Sequence, residues 1–320
     1  MRKGFDALNT QFLPEGRLLH TEENQKACSS RRTLLRAMGA GDILEGQAIL
    51  CNADHSLRVQ AGPFTGVIPR EEAALGIAEG TTREIAILSR VGKPICFTVL
   101  AVDGPEDAPS LLLSRRQAQR RALDHIMETW RPGQIIPATV THLEPFGAFV
   151  DVGCGVTSMI GIEHISISRI PHPGCRFRPG QQIFALVTGL EPRLGRVLLS
   201  HKELLGTWEE NAARLSPGMT VTGYVRSLKE YGAFIELFPN LSGLAEAQPG
   251  LAEGQRVSVY IKSICPQRRK IKLRVLEQLP PDEGPTPLFY TRKSGFLTDW
   301  HYIPTEQTPE EAAQTTPAPL

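Results

Sequence analysis

The chain has 320 residues, of which 41% are apolar and 22% charged, with a formal net charge of +1. That is the make-up of a globular protein with room for two or three domains. No run of about 18 apolar residues occurs, which argues against a membrane-spanning helix, and the opening MRKGFDALNTQFLPEG lacks the apolar stretch of a signal peptide. Residues 1–40 begin irregularly and are expected to hold one short helix, from about Thr21 to Met38, ended by Gly39-Ala40-Gly41. Residues 41–113 alternate strand-like runs with turns: QAILC, SLRVQAG, EIAIL, ICFTVLAV and SLLLS. Residues 114–130 form a linker whose RRQAQRRALDHIMET places Ala118, Ala122, Ile126 and Met127 on one helical stripe.

Two segments then repeat each other. Residues 145–153 read PFGAFVDVG and residues 231–238 read YGAFIELF, so that Phe146 matches Tyr231 and Phe149 matches Phe234 at an offset of 85. Pro132-Gly133 and Pro217-Gly218, which open the two copies, keep that offset. A repeat of this length, with turn signals and alternating apolar residues, marks a duplicated small β module. Five strands are predicted in residues 131–202, near 134–143, 147–152, 157–162, 181–190 and 195–200. Their counterparts in residues 217–276 lie near 219–228, 232–238, 242–246, 255–264 and 269–275. Five short strands in so few residues predict a closed barrel, because closure removes the sheet edges. Residues 203–216 (ELLGTWEENAAR within them) are expected to be a second helical linker. Residues 277–320 turn Pro-rich, carry an aromatic patch (Phe289, Tyr290, Phe296, Trp300, Tyr302) and close on a polar tail expected to be disordered.

The small net charge hides an asymmetry. Residues 41–113 hold five Lys/Arg against ten Asp/Glu, a balance of −5; residues 131–202 hold seven against four, +3; residues 217–276 hold nine against four, +5. Basic repeats behind an acidic module are the polarity expected of a polyanion binder. In the strand 147–152, Ala148, Val150 and Val152 share one face, which leaves Phe149 and Asp151 on the other. A straight strand would put Phe146 opposite Phe149, but a bulge at Gly147 would bring both rings to one surface. Paired exposed rings on a basic barrel make a stacking platform for unpaired bases, where each base contributes roughly 1–3 kcal/mol with little sequence preference. The alternative is that both rings belong to the core. It must explain why valines already fill the alternate positions and why the pair recurs. In RRKIKLRVL, which Arg268 opens, Ile271, Leu273 and Val275 alternate with Lys270, Lys272 and Arg274, a row of cations suited to a phosphate backbone. The second module has only Arg196 at the matching place, with Arg193 beside it. The six cysteines (28, 51, 96, 154, 175 and 265) form no CxxC and are read as reduced thiols of a cytoplasmic protein.

These residues resemble the S1 RNA-binding domain, the OB-barrel repeat of the ribosomal protein S1 family. PGQIIPATVTHLEPFGAFVDVG, then GIEHIS, SRIPHPG, RPGQQI and GRVLLS, follow that family's order over 131–202, and residues 217–276 follow it too. The resemblance implies a mainly β fold of tandem five-stranded antiparallel OB-type barrels joined by short helical linkers. It implies an RNA surface of Phe146, Phe149, His164 and Arg196 in the second module, and of Tyr231, Phe234, Glu246 and Lys270 in the third. Glu246 stands where the family has histidine, and Pro192 stands near the family's acidic residue. Residues 41–113 look like a divergent first copy without FGAF. Arg58 and Gln60 take the outward positions and Pro69 the histidine place, so contact with protein, at the small ribosomal subunit, is expected there rather than RNA binding. The function implied is that of a non-enzymatic, monomeric binder of single-stranded RNA, acting on mRNA in translation, with no cofactor, metal or membrane. The alternatives are a factor in RNA turnover or regulation, an RNA-processing enzyme (for which no catalytic domain, P-loop or nucleophile elbow is seen), and a protein-interaction scaffold.

Overall fold

The computed structural model describes residues 12–281 and 288–302. Three closed five-stranded barrels follow one another along the chain. Barrel 1 comprises β1 (Leu44–Cys51), β2 (Leu57–Ala61), β3 (Phe64–Ile68), β4 (Pro94–Asp103) and β5 (Ser110–Ser114). Barrel 2 comprises β6 (Ile135–Glu144), β7 (Gly147–Asp151), β8 (Thr157–Gly161), β9 (Gln182–Glu191) and β10 (Arg196–Ser200). Barrel 3 comprises β11 (Thr220–Lys229), β12 (Gly232–Phe238), β13 (Leu241–Ala245), β14 (Arg256–Cys265) and β15 (Lys270–Gln278). In each, the first strand pairs antiparallel with the second and fourth, and the barrel closes through one parallel contact between the third and fifth.

Period-2 alternation builds these walls. In β15 Ile271, Leu273 and Val275 are buried while Lys270, Lys272 and Arg274 are exposed. In β7 Ala148 and Val150 go inward, joined by Val152 just beyond the strand. Each barrel has its own apolar core.

The helices depart from expectation in three places. The single helix expected over 21–38 is two, α1 (Glu22–Ala27) and α2 (Arg31–Ala40), because Ser30 leaves helical geometry to cap α2 with Thr33 in a capping box. The run EIAIL, expected as a strand, is a short helix, α3 (Ile85–Leu88), with only Ile87 buried. Its apolar residues are consecutive, a pattern that does not separate strand from helix. The linker Arg115–Thr129 is one helix, α4, and its Ala118, Ala122 and Ile126 are buried against barrel 2. A one-turn helix, α5 (Ile162–Ile165), follows β8. The second linker is no continuous helix: a 3-10 turn, Lys202–Leu205, is cut from α6 (Trp208–Ala212) by Gly206, whose φ of 84° lies in the left-handed region.

Polar seams join the barrels. Residues 12–19 run between barrels 1 and 2. Glu15 binds Arg115 through its Nε at 2.6 Å, and the Glu15 backbone N–H donates to Asp151 Oδ2 at 2.7 Å. Glu45, buried in β1, accepts from the backbone N–H groups of Gly16, Leu18 and Leu19. Between barrels 2 and 3, Arg176 donates to Glu236, both fully buried, and Arg226 Nε donates to the second oxygen of Glu236 at 2.8 Å. The aromatic patch folds back over barrel 2. Ile135 N–H donates to Gly295 O and Leu297 N–H to Gly133 O, while the Tyr290 hydroxyl lies 3.0 Å from His201 Nε2. Arg214 sits between the rings of Phe238 and Phe289, 4.3 and 4.5 Å from their centroids. The tail expected to be disordered lies largely in 303–320, outside the described residues.

Candidate nucleic-acid interface

Phe146 and Phe149 stand together on the outside of barrel 2. Their rings meet edge to face with centroids 6.1 Å apart, and Phe146 is 56% exposed. Tyr231 and Phe234 repeat the arrangement on barrel 3 at 6.2 Å, with Tyr231 69% exposed. Gly147 is not the bulge that aligns them. Glu144 pairs with Gly147, so Phe146 occupies the two-residue turn of the β6–β7 hairpin, free of strand alternation. Gly147 serves instead as a close approach: a methyl there would lie 2.6 Å from Ile160 O. The bulge falls one strand earlier, at Thr141 in barrel 2 and at Arg226 in barrel 3.

Strand register lays out the rest of the face. Phe149 is flanked by His142 on β6 and Met159 on β8, and Met159 by Leu198 on β10. The His142 ring stacks on Phe149 at 6.3 Å and its Nε2 lies 2.6 Å from Glu144 Oε1. His142, and the exposed Met159 and Leu198, were not singled out from the sequence; counting outward positions across the paired strands would have found them. His164 sits on α5, at the Phe146 end, where Ile162 N–H donates to Phe146 O; its ring is half-exposed, 3.6 Å from Glu163. Arg196 is exposed and level with Thr157, about 7 Å along the strand from the Phe149 row. The exposed Arg193 lies beyond it, in the β9–β10 turn. The two arginines therefore extend the face away from Phe146 rather than converge on it.

In barrel 3 the equivalent row reads Ser227, Phe234, Leu244, Lys272 and Ser263. A cation thus replaces Leu198 beside the rings. Lys270 and Arg274 lie on either side of Lys272, and Arg268 is exposed in the preceding turn. Glu246 is ion-paired with Lys262 at 2.7 Å, which holds its carboxyl below the usual range. In barrel 1 the row is Leu50, Arg58, Val67, Leu112 and Ala101, with Leu50, Val67 and Leu112 exposed and no ring pair. The three rows occupy one place on the three barrels and differ in chemistry: aliphatic around a central Arg58 in the first, aromatic in the second, aromatic and cationic in the third.

One outward residue of each platform strand is hidden. Asp151 and Glu236 lie two residues beyond Phe149 and Phe234, on the same face, yet each is covered by the module before it. Burial, helped by the Glu15 carboxylate, pushes Asp151 up to about 7, against the N–H groups of Glu15, Gly153 and Gly155 that it accepts. Both carboxylates keep the 85-residue offset of the rings. Their role was missed from the sequence because their partners across the seams, the Glu15 backbone N–H and Arg176, lie in other modules.

Residues 130–202 match the family described as the S1 RNA binding domain. Barrel 2 is an S1 domain. The chain that carries it is similar to the small ribosomal subunit protein bS1 of Leuconostoc lactis, 32% identical over 209 residues, which covers 60% of this chain and 48% of that protein. The bS1 homolog of Bacillus subtilis is 28% identical over 207 residues, covering 59% of this chain and 53% of the homolog. The bS1 protein of Neisseria meningitidis serogroup B is 28% identical over 271 residues, covering 79% and 46%. The chain spans about half the length of these curated relatives. Among the described residues, no helix is long and apolar enough to cross a membrane.

Proposed function

We propose that the chain is a non-enzymatic, cytoplasmic binder of single-stranded RNA that acts on mRNA in the translation apparatus. The observation that carries this reading is the pair of rings set edge to face on the outside of each of two basic barrels, with Phe146 and Tyr231 exposed and Phe149 and Phe234 partly buried beside them. An exposed ring costs nothing to the core here, since Ala148 and Val150 in one barrel and Ala233 and Ile235 in the other already fill the interior. Bases stack on Phe146, Phe149, Tyr231 and Phe234, His164 borders the first platform, and phosphates lie along Arg193 and Arg196 or along Arg268, Lys270, Lys272 and Arg274. Two platforms on one chain raise the effective concentration of the second site once the first is filled. The similarity to bS1 proteins supports the assignment to translation. The test is fluorescence titration with a short unstructured RNA: Phe149→Ala with Phe234→Ala should lose far more affinity than either change alone, and no loss would reject the platform.

Barrel 1 favours a protein partner. Its row carries Arg58 where the others carry Phe149 and Phe234, flanked by exposed Leu50, Val67 and Leu112, on a module of charge −5. We place the contact with the small ribosomal subunit there. In sucrose-gradient sedimentation of cell extract, Val67→Lys with Leu112→Lys should leave the ribosomal fractions while the chain still binds RNA. Co-sedimentation equal to wild type would remove barrel 1 from the contact.

A further inference from the structure

A cleft of about 1200 Å³ opens between barrels 2 and 3, above the roughly 300–1,000 Å³ of ordinary small-ligand pockets. Phe234, of the ring pair on barrel 3, lines it together with Arg226 and Lys229 of β11 and Arg256 at the start of β14. The opposite wall is the segment 168–175 of barrel 2, which brings Arg169. Arg169 and Lys229 are exposed, and neither makes an ion pair among the described residues. Arg226 binds Glu236, but that carboxylate is shared with Arg176, so the triad retains a charge of +1. Among the described residues the lining holds one carboxylate, Glu253, whose Oε1 accepts from Leu228 N–H.

The junction of barrels 1 and 2 is an internal control. It has a cleft at the same place, of about 460 Å³. Thr139, Thr141 and Gln182 stand there at the repeat positions of Tyr224, Arg226 and Arg256; the register pairs Thr139 with Gln182 and Tyr224 with Arg256. Its cations Arg90 and Lys93 stand with two carboxylates, Glu15 and Asp151, and Arg90 is ion-paired with Glu15. Among the described residues, the same architectural gap is therefore small and lined by as many carboxylates as cations at one seam, and large and lined by more cations than carboxylates at the other.

We propose that the cleft between barrels 2 and 3 is a binding site for the phosphodiester backbone of the strand whose bases stack on Phe234, with Arg169 reaching that strand from the neighbouring barrel. The proposal rests on the reading of the ring pairs as RNA platforms. It assigns Arg169, Lys229, Arg226 and Arg256 to RNA binding, outside the barrel faces, and makes the buried Arg176–Glu236 contact the device that fixes the width of the cleft.

The test uses the full chain and a fluorescein-labelled oligouridylate, titrated over a range of salt concentrations. Arg169→Gln with Lys229→Gln should make the log–log salt slope shallower by about 1.4, at roughly 0.7 per single-strand phosphate contact, equivalent to roughly a tenfold loss at 0.15 M. Arg169→Gln alone, on the other wall, should give half that change in slope. Arg58→Gln with Arg83→Gln, which removes two exposed cations from barrel 1, should titrate like wild type. If the cleft variants match this control while Phe149→Ala with Phe234→Ala still weakens binding, the cleft is wrong and the platform stands. If the ring variant binds like wild type, the platform fails and the cleft with it.

Discussion

Replacing Glu236 with alanine would strand a guanidinium. Arg176 is fully buried; it donates to Glu236, to Ser166 Oγ at 3.2 Å and to Cys175 O at 3.4 Å, and only Glu236 carries a compensating charge. Removing one partner of a buried pair costs about 3–5 kcal/mol, because the remaining ion is left without water or counter-charge. Arg226 loses the same carboxylate but lines the cleft and adds less. What remains of the seam is neutral: Asn240 Nδ2 donates to Lys202 O and Gly206 O, and Ser168 and Ser242 lie 3.4 Å apart. At about 1.4 kcal/mol per factor of ten, the undocked population of barrel 3 should rise by roughly two to three and a half orders of magnitude. Urea unfolding followed by tryptophan fluorescence reads the stability, since Trp208 is buried in the barrel 3 core. Hydrogen exchange of β12 and β13 reads the docking. Arg176→Met with Glu236→Met, which removes both charges, should recover much of the loss. A cost below about 1 kcal/mol for Glu236→Ala, or a double variant no better than the single, would refute the seam as described.

Gly147→Ala should destabilise barrel 2 by about 1–3 kcal/mol, seen as a lowered thermal midpoint, because the added methyl meets the backbone of β8 rather than a movable side chain. Tyr290→Phe removes the hydroxyl shared by His201 and the Phe184 N–H, and should cost about 0.5–1.5 kcal/mol in urea unfolding. Burial, with Arg176 nearby, holds His201 down to about 4, below the roughly 6.5 of an unfolded histidine. Its folded value is the lower one, so the unfolded chain takes up the proton first, and stability falls as pH drops from about 6.5 towards 4. The stability difference between wild type and His201→Gln should therefore shrink from pH 7.5 to pH 5; a difference independent of pH would contradict the buried neutral ring.

The barrel strands that alternate apolar and polar residues between turns, β2 and β15 above all, were the most legible, whereas β4 buries Ile95–Val99 in a row. The cationic row of β15 and the inward valines of β7 follow from that alternation alone. The ring pair was legible for a partly wrong reason, since Phe146 shares the face of Phe149 by lying in a hairpin turn and not through a bulge at Gly147. EIAIL was misread because consecutive apolar residues have no period. Met159, Leu198 and His142 belong to the same face but are set by register between strands distant in sequence. The seams were least legible. Asp151 and Glu236 read as ordinary outward residues until the segment 12–19 and barrel 2 bring the Glu15 backbone and Arg176 over them, and no local pattern announces a partner 136 or 60 residues away.

The most direct measurement is the affinity of the full chain for a short unstructured RNA, by fluorescence titration, in wild type and in Phe149→Ala with Phe234→Ala. Rings that stack bases at roughly 1–3 kcal/mol each predict a double variant weakened by at least about 30-fold, with the salt slope retained because the cations remain. A double variant that binds as wild type does would show that the ring pairs are not where the strand lies.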